Sequence, residues 1–354
     1  MSLQEAVKVL VQAGYIQPAD LVERDFLARE VASRNLNLSI QSGDLALFVK
    51  QSDQHDRSQS VAQEAANLGW LWRPDNRAVH PYLPKVAGFD EGQAALVLEL
   101  LPRAKTLREY HRRLGRFPEA IGHEIGRFLG RLHSLDLSES APSGLVQIPD
   151  WSYAVHRPNL GQYASMSAGN LEVLRRIQAR PAVMEKLDDL QEQWTATTFI
   201  HYDLKWDNLL FSPGRSRSRH RVIDWEFAGI GDPRWDTGHV FAEYLLFWIA
   251  SMPVPDNVSP DQLPALARYP LEKMHAPLRA FWLTYIGTVD RFQQPADLGS
   301  TLQYAAVHLL ESTFARTQGS AGLHVHDLLA LQLAVNMLQN PEQAVRLVGL
   351  GEFA

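Results

Sequence analysis

The spacing of hydrophobic residues along the chain changes near residue 102. Before that point, "LNLSIQSGDLALFVK" (36–50) predicts two strands joined by a Gly-Asp turn, and "QAALVLELL" (93–101) predicts a buried strand. After it, apolar residues recur at helical intervals in "PEAIGHEIGRFLGRLHSL" (118–135), which begins with Pro as many helices do. The pattern therefore predicts a small strand-rich region followed by a larger helical one.

Further helical patterns account for much of the remaining chain. One lies in the first region, at 57–72. Those of the second region are predicted at about 168–195, 235–251, 264–286, 301–317 and 323–338. Two short strands, "NLLF" (208–211) and "RVIDW" (221–225), interrupt the helices. The segment 149–169 has weak periodicity, and we expect a long loop or insertion there.

Composition narrows the class of protein. The 354 residues are 45% hydrophobic and 21% charged, as in soluble globular proteins, and the net charge of −6 argues against a nucleic-acid binder. Cysteine is absent, which excludes disulfides and Cys-based metal sites or nucleophiles. The first residues show helical spacing without a signal-peptide core, and the apolar stretch 239–251 is too short to cross a bilayer. We expect a cytoplasmic protein that binds neither membranes nor nucleic acid.

Ionisable and amide side chains cluster in "FIHYDLKWDNLLF" (199–211) between two apolar anchors. Asp203 and Asn208 lie in a predicted tight loop there, and Asp224 directly follows an apolar strand. Two carboxylates and an amide oxygen brought together would form a hard-oxygen site suited to Mg²⁺, which shares such ligands with phosphates. Each residue alone is typical of turns and helix caps, but together they indicate a metal-phosphate site.

A cation in the strand-rich region complements these oxygens. Lys50 ends the strand "LALFVK", from which a rigidly held ammonium can bind phosphate as a point charge. Glu64, on the helix that follows, is a plausible ion-pair partner, although Glu91 and Glu99 belong to the same region. These parts match the general arrangement for phosphoryl transfer: a lysine with its glutamate, a carboxylate base, and Asn and Asp for the metal.

Taken in order, these segments resemble the aminoglycoside phosphotransferase/choline kinase branch of the protein-kinase-like superfamily. "HYDLKWDN" is similar to that group's H-x-D-x-x-x-x-N catalytic loop. "IDWEFAGIGDPRWDTG" is similar to its metal-binding Asp followed by a G-D-P-x-x-D segment. "ALFVK" resembles the lysine strand, "LVLELL" the hinge strand and "LGRLHSL" the helix end that precedes the catalytic loop. These landmarks extend from about residue 34 to residue 238 in the expected order.

The resemblance implies an α+β, bilobal protein-kinase-like fold. Residues 1–101 would form an N-lobe with a small antiparallel sheet, and residues 102–106 a hinge or connector. Residues 107–354 would form a large, mainly helical C-lobe that contains the catalytic loop, the metal-binding loop and the acceptor site.

The resemblance also implies a role for each residue of the metal-phosphate site. Asp203 would accept the proton of the substrate hydroxyl or orient that hydroxyl. Asn208 and Asp224 would bind Mg²⁺ bridging the phosphates of ATP. Lys50, paired with Glu64, would contact those phosphates.

Further roles concern the surroundings of that site. The backbone around Glu99 to Leu101 would bind adenine, while His201 and Asp236 would brace the loops. Trp206 is a candidate for lining the acceptor cleft.

Two features depart from the protein-kinase pattern. The phosphate-covering segment "ASRNLNLSIQSGD" lacks a G-x-G-x-x-G motif, so Ser33, Asn35 and Asn37 would donate hydrogen bonds to phosphate instead. Tyr202 replaces the small residue common after the catalytic His, and Lys205 makes "HYDLK" similar to the "HRDLK" of Ser/Thr protein kinases. Lys205 is accordingly a candidate for contacting the transferred phosphate.

The predicted function is an ATP-dependent phosphotransferase, with ATP and Mg²⁺ as cofactors and a hydroxyl group as acceptor. The acceptor would belong to a small molecule of the aminoglycoside, amino alcohol or sugar class, or to a peptide Ser or Thr. The peptide alternative, phosphorylation before elimination in natural-product biosynthesis, is motivated by Lys205 and the basic run at 214–221. An alternative of another class is a catalytically inactive scaffold that binds nucleotide.

Overall fold

The structure is a computed structural model that describes residues 3–22, 25–31, 36–52, 60–101, 103–137, 156–212, 219–289 and 298–353. The chain divides into two compact units, each made from two stretches of sequence. The first unit contains residues 1–110 and 206–228, and the second contains residues 111–205 and 229–354.

Ten strands are assigned within the described ranges. They are β1 (Leu27–Val31), β2 (Leu36–Ser42), β3 (Leu45–Gln51), β4 (Val86–Asp90), β5 (Ala95–Glu99), β6 (Lys105–Thr106), β7 (Thr198–Ile200), β8 (Leu209–Ser212), β9 (Arg219–Val222) and β10 (Gly229–Gly231). In the first unit they form an antiparallel sheet in the order β1-β2-β3-β5-β4 and a smaller one in the order β6-β8-β9. In the second unit β7 pairs with β10.

Helices make up most of the second unit. Those of the described chain are α1 (Leu3–Gln12), α2 (Ser60–Leu71), α3 (Leu107–Leu114), α4 (Glu119–Leu132), α5 (Leu160–Ala164), α6 (Ala168–Gln178), α7 (Pro181–Glu192), α8 (Pro233–Ala250), α9 (Glu272–Thr288), α10 (Leu298–Thr317), α11 (Val325–Gln339) and α12 (Pro341–Leu347). Over the ranges given above, none of these helices is both long enough and apolar enough to span a bilayer.

The main sheet of the first unit follows the sequence pattern. β2 and β3 are joined by the predicted Gly-Asp turn, where Gly43 has a φ of 53°, a left-handed conformation that glycine adopts without strain. Alternate residues of these strands, such as Ile40 and Val49, are buried against Leu10 and Ile16 from the N-terminal segment. The alternation fixes which side chains of β3 face inward, because successive residues of a strand point to opposite faces.

Three regions differ in detail from the sequence-based prediction. The helix predicted over 168–195 is two helices, because Pro181 disfavours a helical conformation at Arg180, whose φ and ψ are −123° and 90°. The helix predicted over 264–286 begins at Glu272, after a 3-10 helix over Pro260–Leu266. The predicted loop at 149–169 contains α5 and the start of α6, and its residues 149–155 lie outside the described part.

A stripe of glycines lets α4 and α9 pack closely. A Cβ at Gly122 would lie 2.0 Å from the Pro277 carbonyl oxygen, and one at Gly126 would lie 2.6 Å from that of Phe281. These atoms belong to the backbone of α9, so a side chain there could be accommodated only if the helices separated. The close packing matters for the site because His133 directly follows α4 and Tyr285 lies on α9.

We predict that Gly122→Ala destabilises the protein by at least ~1–3 kcal/mol, the usual cost of overpacking a core. Gly287→Ala is the matched control on the facing helix, because nothing lies within 4 Å of a Cβ built there. The control should be neutral or stabilising by ~0.5–1 kcal/mol, since alanine favours helix more than glycine. Urea unfolding of both variants measures the difference, and equal stabilities would contradict the packing argument.

Candidate functional site

A buried lysine pairs with two carboxylates in the first unit. Lys50 of β3 places its Nζ 2.9 Å from Oε1 and 2.6 Å from Oε2 of Glu64 on α2, and also contacts Oδ1 of Asp224. Lys50 and Glu64 are only 6% and 1% exposed. The ion pair expected from the sequence is therefore present, and Asp224, 174 residues further along the chain, shares its cation.

The electrostatic balance keeps this lysine charged. Burial by itself lowers the pKa of Lys50, but the charges of Glu64 and Asp224 and their hydrogen bonds outweigh burial and raise the pKa above its usual value. Burial also pushes the pKa of Glu64 upward, an effect that the charge of Lys50 opposes. The ammonium and its glutamate thus depend on each other to remain ionised in the interior.

The β8–β9 hairpin brings the two predicted metal ligands together. The pairing of Leu209 with Val222 sets the register, and the Ile223 N–H donates to the Asn208 carbonyl oxygen at 3.0 Å. Asn208 therefore precedes β8 and Asp224 follows β9 at the same end of the hairpin. Asp224 has a left-handed backbone, with φ 64° and ψ 60°, and its side chain is 34% exposed.

The donor set at this end of the hairpin suits Mg²⁺. It offers a carboxylate and an amide oxygen, the hard ligands that Mg²⁺ takes together with water and phosphate. Nowhere in the described ranges do three or more His, Cys, Asp or Glu residues group into a metal site. A site complete within the protein, as for structural zinc, is thus not found there, whereas a site completed by phosphate oxygens fits Asn208 and Asp224.

The predicted adenine-binding segment, Glu99 to Leu101, begins at the last residue of β5. The Glu99 carboxylate accepts from Nε of Arg221 at 3.1 Å, and the Leu101 carbonyl accepts from the Ala104 N–H at 2.9 Å. The Leu100 N–H is already bonded to the Ala46 carbonyl at 2.9 Å. Adenine recognition at this segment remains a prediction.

Of the three residues predicted to bind phosphate from the covering segment, Asn37 is the one that lies in the described part of the chain. Asn37 lies opposite Lys50 in the β2–β3 register, and its Oδ1 is buried without a hydrogen-bond partner in the part of the chain that the structure describes. Its position beside the lysine leaves a phosphate-binding role open as a prediction. Ser33 and Asn35 lie outside the described residues.

The predicted catalytic residues lie in the second unit. Nζ of Lys205 donates to Oδ2 of Asp203 at 2.7 Å, and both side chains are partly exposed. Tyr202 just before them has a φ of 71°, unusual for a non-glycine residue, so the loop turns sharply before Asp203. In this state Lys205 is engaged with the carboxylate, and its predicted contact with phosphate would require it to exchange that partner.

Asp236, completely buried, holds the backbone of this loop. Its carboxylate accepts from the N–H groups of His201 at 2.7 Å and Tyr202 at 2.9 Å. Nε2 of His133 lies 3.3 Å from Asp236, and Nδ1 of the same ring lies 2.9 Å from the Tyr285 hydroxyl. Burial raises the pKa of Asp236, but hydrogen bonds and charge from His133 and His201 lower it to a value below normal. The carboxylate can therefore stay ionised while buried.

Some contacts around the site were not apparent from the sequence. His133 and Tyr285 contact Asp236 or its partner only through tertiary packing, although "LGRLH" draws attention to the first of them. Arg108 of α3 donates from Nε to Asp207 at 2.7 Å, beside Asn208. Trp206, predicted to line an acceptor cleft, is completely buried, so that role would require the ring to become accessible.

A pocket of about 550 Å³ in the second unit includes none of the predicted site residues. It lies around Trp248 and Met252 near the end of α8, and Leu329 on α11. Trp248 lies twelve positions after Asp236 on α8, which is about 18 Å along a helix axis. No residue of the loop that contains Asp203 lines this pocket.

Comparison with known sequences gives one family match. The profile of the phosphotransferase enzyme family, APH, matches residues 28–281, a stretch that includes Lys50, Asp203 and Asp224. Among curated proteins, mouse acyl-CoA dehydrogenase family member 10 is 28% identical over 129 residues, which is 36% of this chain. The match spans only 11% of the length of that protein.

Solved structures share the fold along nearly the whole chain. A choline/ethanolamine kinase family protein from Mesorhizobium loti has a TM-score of 0.53 at 15% identity, covering 99% of this chain and 100% of its own. The microcompartment-associated aminopropanol kinase has a TM-score of 0.56 at 16% identity, covering 97% and 99%. A thermostable mutant of aminoglycoside phosphotransferase APH(4)-Ia, solved with AMP-PNP and hygromycin B, has a TM-score of 0.53 at 14% identity, covering 94% and 97%. At such low sequence identities, the structural similarity establishes the fold alone. It confirms the predicted α+β, protein-kinase-like class.

We predict that Lys50→Met destabilises the protein by ~3–5 kcal/mol at pH 7, because a buried carboxylate loses its counter-ion. The loss should shrink as the pH falls toward 4.5, the ordinary value for glutamate, because burial raises the pKa of Glu64 and the folded state then binds a proton first. Adding Glu64→Gln to Lys50→Met should restore part of the stability at pH 7. Urea unfolding at pH 7 and pH 5 tests this, and a pH-independent loss would contradict it.

We predict that Asp236→Asn loosens the loop that contains Asp203. One acceptor oxygen for the His201 and Tyr202 amides is lost, so those amides should exchange with deuterium at least ~10-fold faster, as expected for a lost buried hydrogen bond. Exchange measured by mass spectrometry on peptides covering 199–205 checks this. Asp256→Asn, at an exposed position, is the control and should leave the exchange unchanged. Unaltered protection in Asp236→Asn would show that the carboxylate does not hold the loop.

Proposed function

The chain belongs to the phosphotransferase enzyme family, whose profile spans residues 28–281, and from that premise we propose that it transfers the γ-phosphate of ATP to a hydroxyl group. The observation that carries the proposal is the placement of Lys50 between Glu64 and Asp224. A buried ammonium that is kept charged, next to a partly exposed carboxylate, is the combination required to hold a metal-bound triphosphate.

The first unit supplies the groups for the nucleotide phosphates. Lys50 binds a phosphate oxygen, and Glu64 orients the ammonium toward it. Asn208 and Asp224 would hold Mg²⁺, which would neutralise charge on the phosphates. Asp224 follows β9 with a left-handed backbone, and the hydrogen bond from the Ile223 N–H to the Asn208 carbonyl keeps Asn208 at the same end of the hairpin. These groups act by positioning and electrostatics rather than by covalent chemistry.

The second unit supplies the group that acts on the acceptor. Asp203 accepts the hydroxyl proton, or orients that hydroxyl, while the acceptor oxygen forms a bond to the γ-phosphorus and the bond from that phosphorus to the bridging oxygen of ADP breaks. Asp236 keeps the preceding backbone amides in place, so that Asp203 is held in a defined position. Lys205 exchanges its ion pair with Asp203 for a contact with the negatively charged oxygens of the transferred phosphate.

The acceptor is proposed to be a hydroxyl-bearing small molecule of the amino alcohol, aminoglycoside or sugar class. Support comes from solved structures of the same fold, which include a choline/ethanolamine kinase family protein, an aminopropanol kinase and an aminoglycoside phosphotransferase with bound hygromycin B. A peptide Ser or Thr is the second candidate. It is favoured by the contact between Lys205 and Asp203, two residues of the motif "HYDLK" that resembles the "HRDLK" of Ser/Thr protein kinases.

A transfer assay with γ-labelled ATP and Mg²⁺ separates these possibilities. Panels of amino alcohols, aminoglycosides, sugars and Ser/Thr peptides serve as acceptors, and the label should appear on a small-molecule hydroxyl. Transfer to peptides alone would replace the proposed acceptor with the second candidate. ATP binding without transfer to any panel would favour the inactive scaffold.

We predict that Asp203→Asn lowers turnover by at least ~10²-fold, the range for a positioned general base, while ATP affinity stays within a few-fold of wild type. Asp224→Ala should abolish the Mg²⁺-dependent transfer. Asp256→Asn, at an exposed position, is the control and should retain wild-type turnover. Near-normal turnover in Asp203→Asn would remove Asp203 from the mechanism, and unchanged metal dependence in Asp224→Ala would contradict its role as a ligand.

A further inference from the structure

We infer that Asn67 is a positioning residue for the metal-binding carboxylate of Asp224. Asn67 lies on α2, three residues after Glu64, and its side chain is completely buried. It does not contact Asp224 itself, and it acts through the backbone that follows. The inference rests on the proposed function, because it concerns how the Mg²⁺ ligand is held.

One amide side chain fastens both ends of the turn after Asp224. Nδ2 of Asn67 donates to the carbonyl oxygen of Trp225 at 2.8 Å and to that of Ala228 at 2.9 Å. The Trp225 carbonyl also accepts from the Ala228 N–H at 3.2 Å, closing the 3-10 helix between them. The residue after Asp224 is thus fixed to α2 by a group that uses both of its amide hydrogens.

The orientation of the Asn67 amide is itself determined by a neighbour. Nε2 of Gln63 donates to Oδ1 of Asn67 at 3.1 Å, so the Nδ2 hydrogens face the two carbonyls. Residues three apart lie on the same face of a helix, which explains why Glu64 and Asn67 both reach this segment. Glu64 accepts from the Trp225 N–H at 3.4 Å while it binds Lys50. One face of α2 therefore holds the lysine and the segment that follows Asp224.

Asp224 needs such a restraint because its backbone conformation is unfavourable. With φ 64° it lies in the left-handed region, which residues with a Cβ adopt much less readily than glycine does. Strained conformations of this kind persist only where the surrounding contacts impose them. Without the Asn67 bonds, the segment after Asp224 could relax, and the carboxylate would no longer be held beside Asn208.

A purely structural role and a positioning role predict different behaviour. Loss of a buried hydrogen bond lowers stability in either case. Only a positioning role also weakens the contribution of Mg²⁺ to nucleotide binding, because Mg²⁺ bound to ATP depends on Asp224, whereas Lys50 can still bind the phosphates without it. The ratio of ATP affinity with and without Mg²⁺ is therefore the decisive quantity.

The test compares Asn67→Leu with Asn76→Leu by titration calorimetry with ATP in the presence and absence of Mg²⁺. Asn76 is a matched control in the same unit, since it is buried and its Nδ2 donates to the Trp70 carbonyl at 2.9 Å. Asn67→Leu should reduce the Mg²⁺-dependent gain in ATP affinity at least ~10-fold, which corresponds to the loss of one buried hydrogen bond. The affinity for ATP without Mg²⁺ should stay within a few-fold of wild type. Asn76→Leu should lower the melting temperature and keep the wild-type gain.

Asn67→Ser is the second variant, in case the leucine variant does not fold, because it keeps a single donor and creates less overpacking. Amide exchange on peptides covering 223–229, measured without nucleotide, should be faster in both Asn67 variants. A wild-type gain from Mg²⁺ in a folded Asn67 variant would overturn the inference and leave the proposed function standing. Failure of the wild-type protein to bind ATP more tightly with Mg²⁺ would overturn both.

Discussion

The charge on Lys50 is the interaction on which the first unit of this protein depends. Glu64, 14 residues after Lys50, and Asp224, 174 residues after it, both bind this one buried ammonium. Neither the lysine nor Glu64 could remain charged in the interior alone, because an unpaired buried ion costs several kcal/mol. Folding therefore fixes these three residues relative to one another within the unit, at the position where we propose that phosphate and metal bind.

The second unit also contains a buried charged group, the carboxylate of Asp236, but stabilises it in a different way. Asp236 is a buried carboxylate too, but its partners are backbone amides and the imidazole of His133 rather than a permanent cation. Those partners are a loop and His133, which directly follows α4. The glycine stripe of α4 brings this helix against α9 and so places Tyr285 beside His133. The loop that contains Asp203 is thus held by hydrogen bonds that depend on tight helix packing. In each unit a buried carboxylate orients the group proposed to act on the substrate.

Much of this could be predicted from the sequence because it depends on local order. Strand alternation and the Gly-Asp turn located β2 and β3, and the pattern "NLLF…RVIDW" placed Asn208 and Asp224 at the ends of two strands that pair. The position of Glu64 on the helix after the lysine strand indicates that it pairs with Lys50, but the sequence alone does not exclude Glu91 or Glu99. The structure shows the ion pair with Glu64. Glu99 instead contacts Arg221.

The contacts that the sequence did not reveal are those set by tertiary packing. Nothing in the neighbourhood of Asn67 indicates that its amide would meet carbonyls about 160 residues later, at Trp225 and Ala228. The sequence likewise does not indicate the hydrogen bond between Tyr285 of α9 and His133, which directly follows α4. The apolar pattern continues through 168–195 and so predicts one helix, but Pro181 disfavours a helical conformation at Arg180 and divides it in two.

We propose that the Lys50 cluster holds metal-bound nucleotide phosphates, and the affinity of the unmodified protein for AMP, ADP and ATP, measured with and without Mg²⁺, tests this. The affinity should increase with each added phosphate, and Mg²⁺ should increase it further for ATP and ADP but not for AMP. Equal affinities for the three nucleotides, or no effect of Mg²⁺ on any of them, would contradict it.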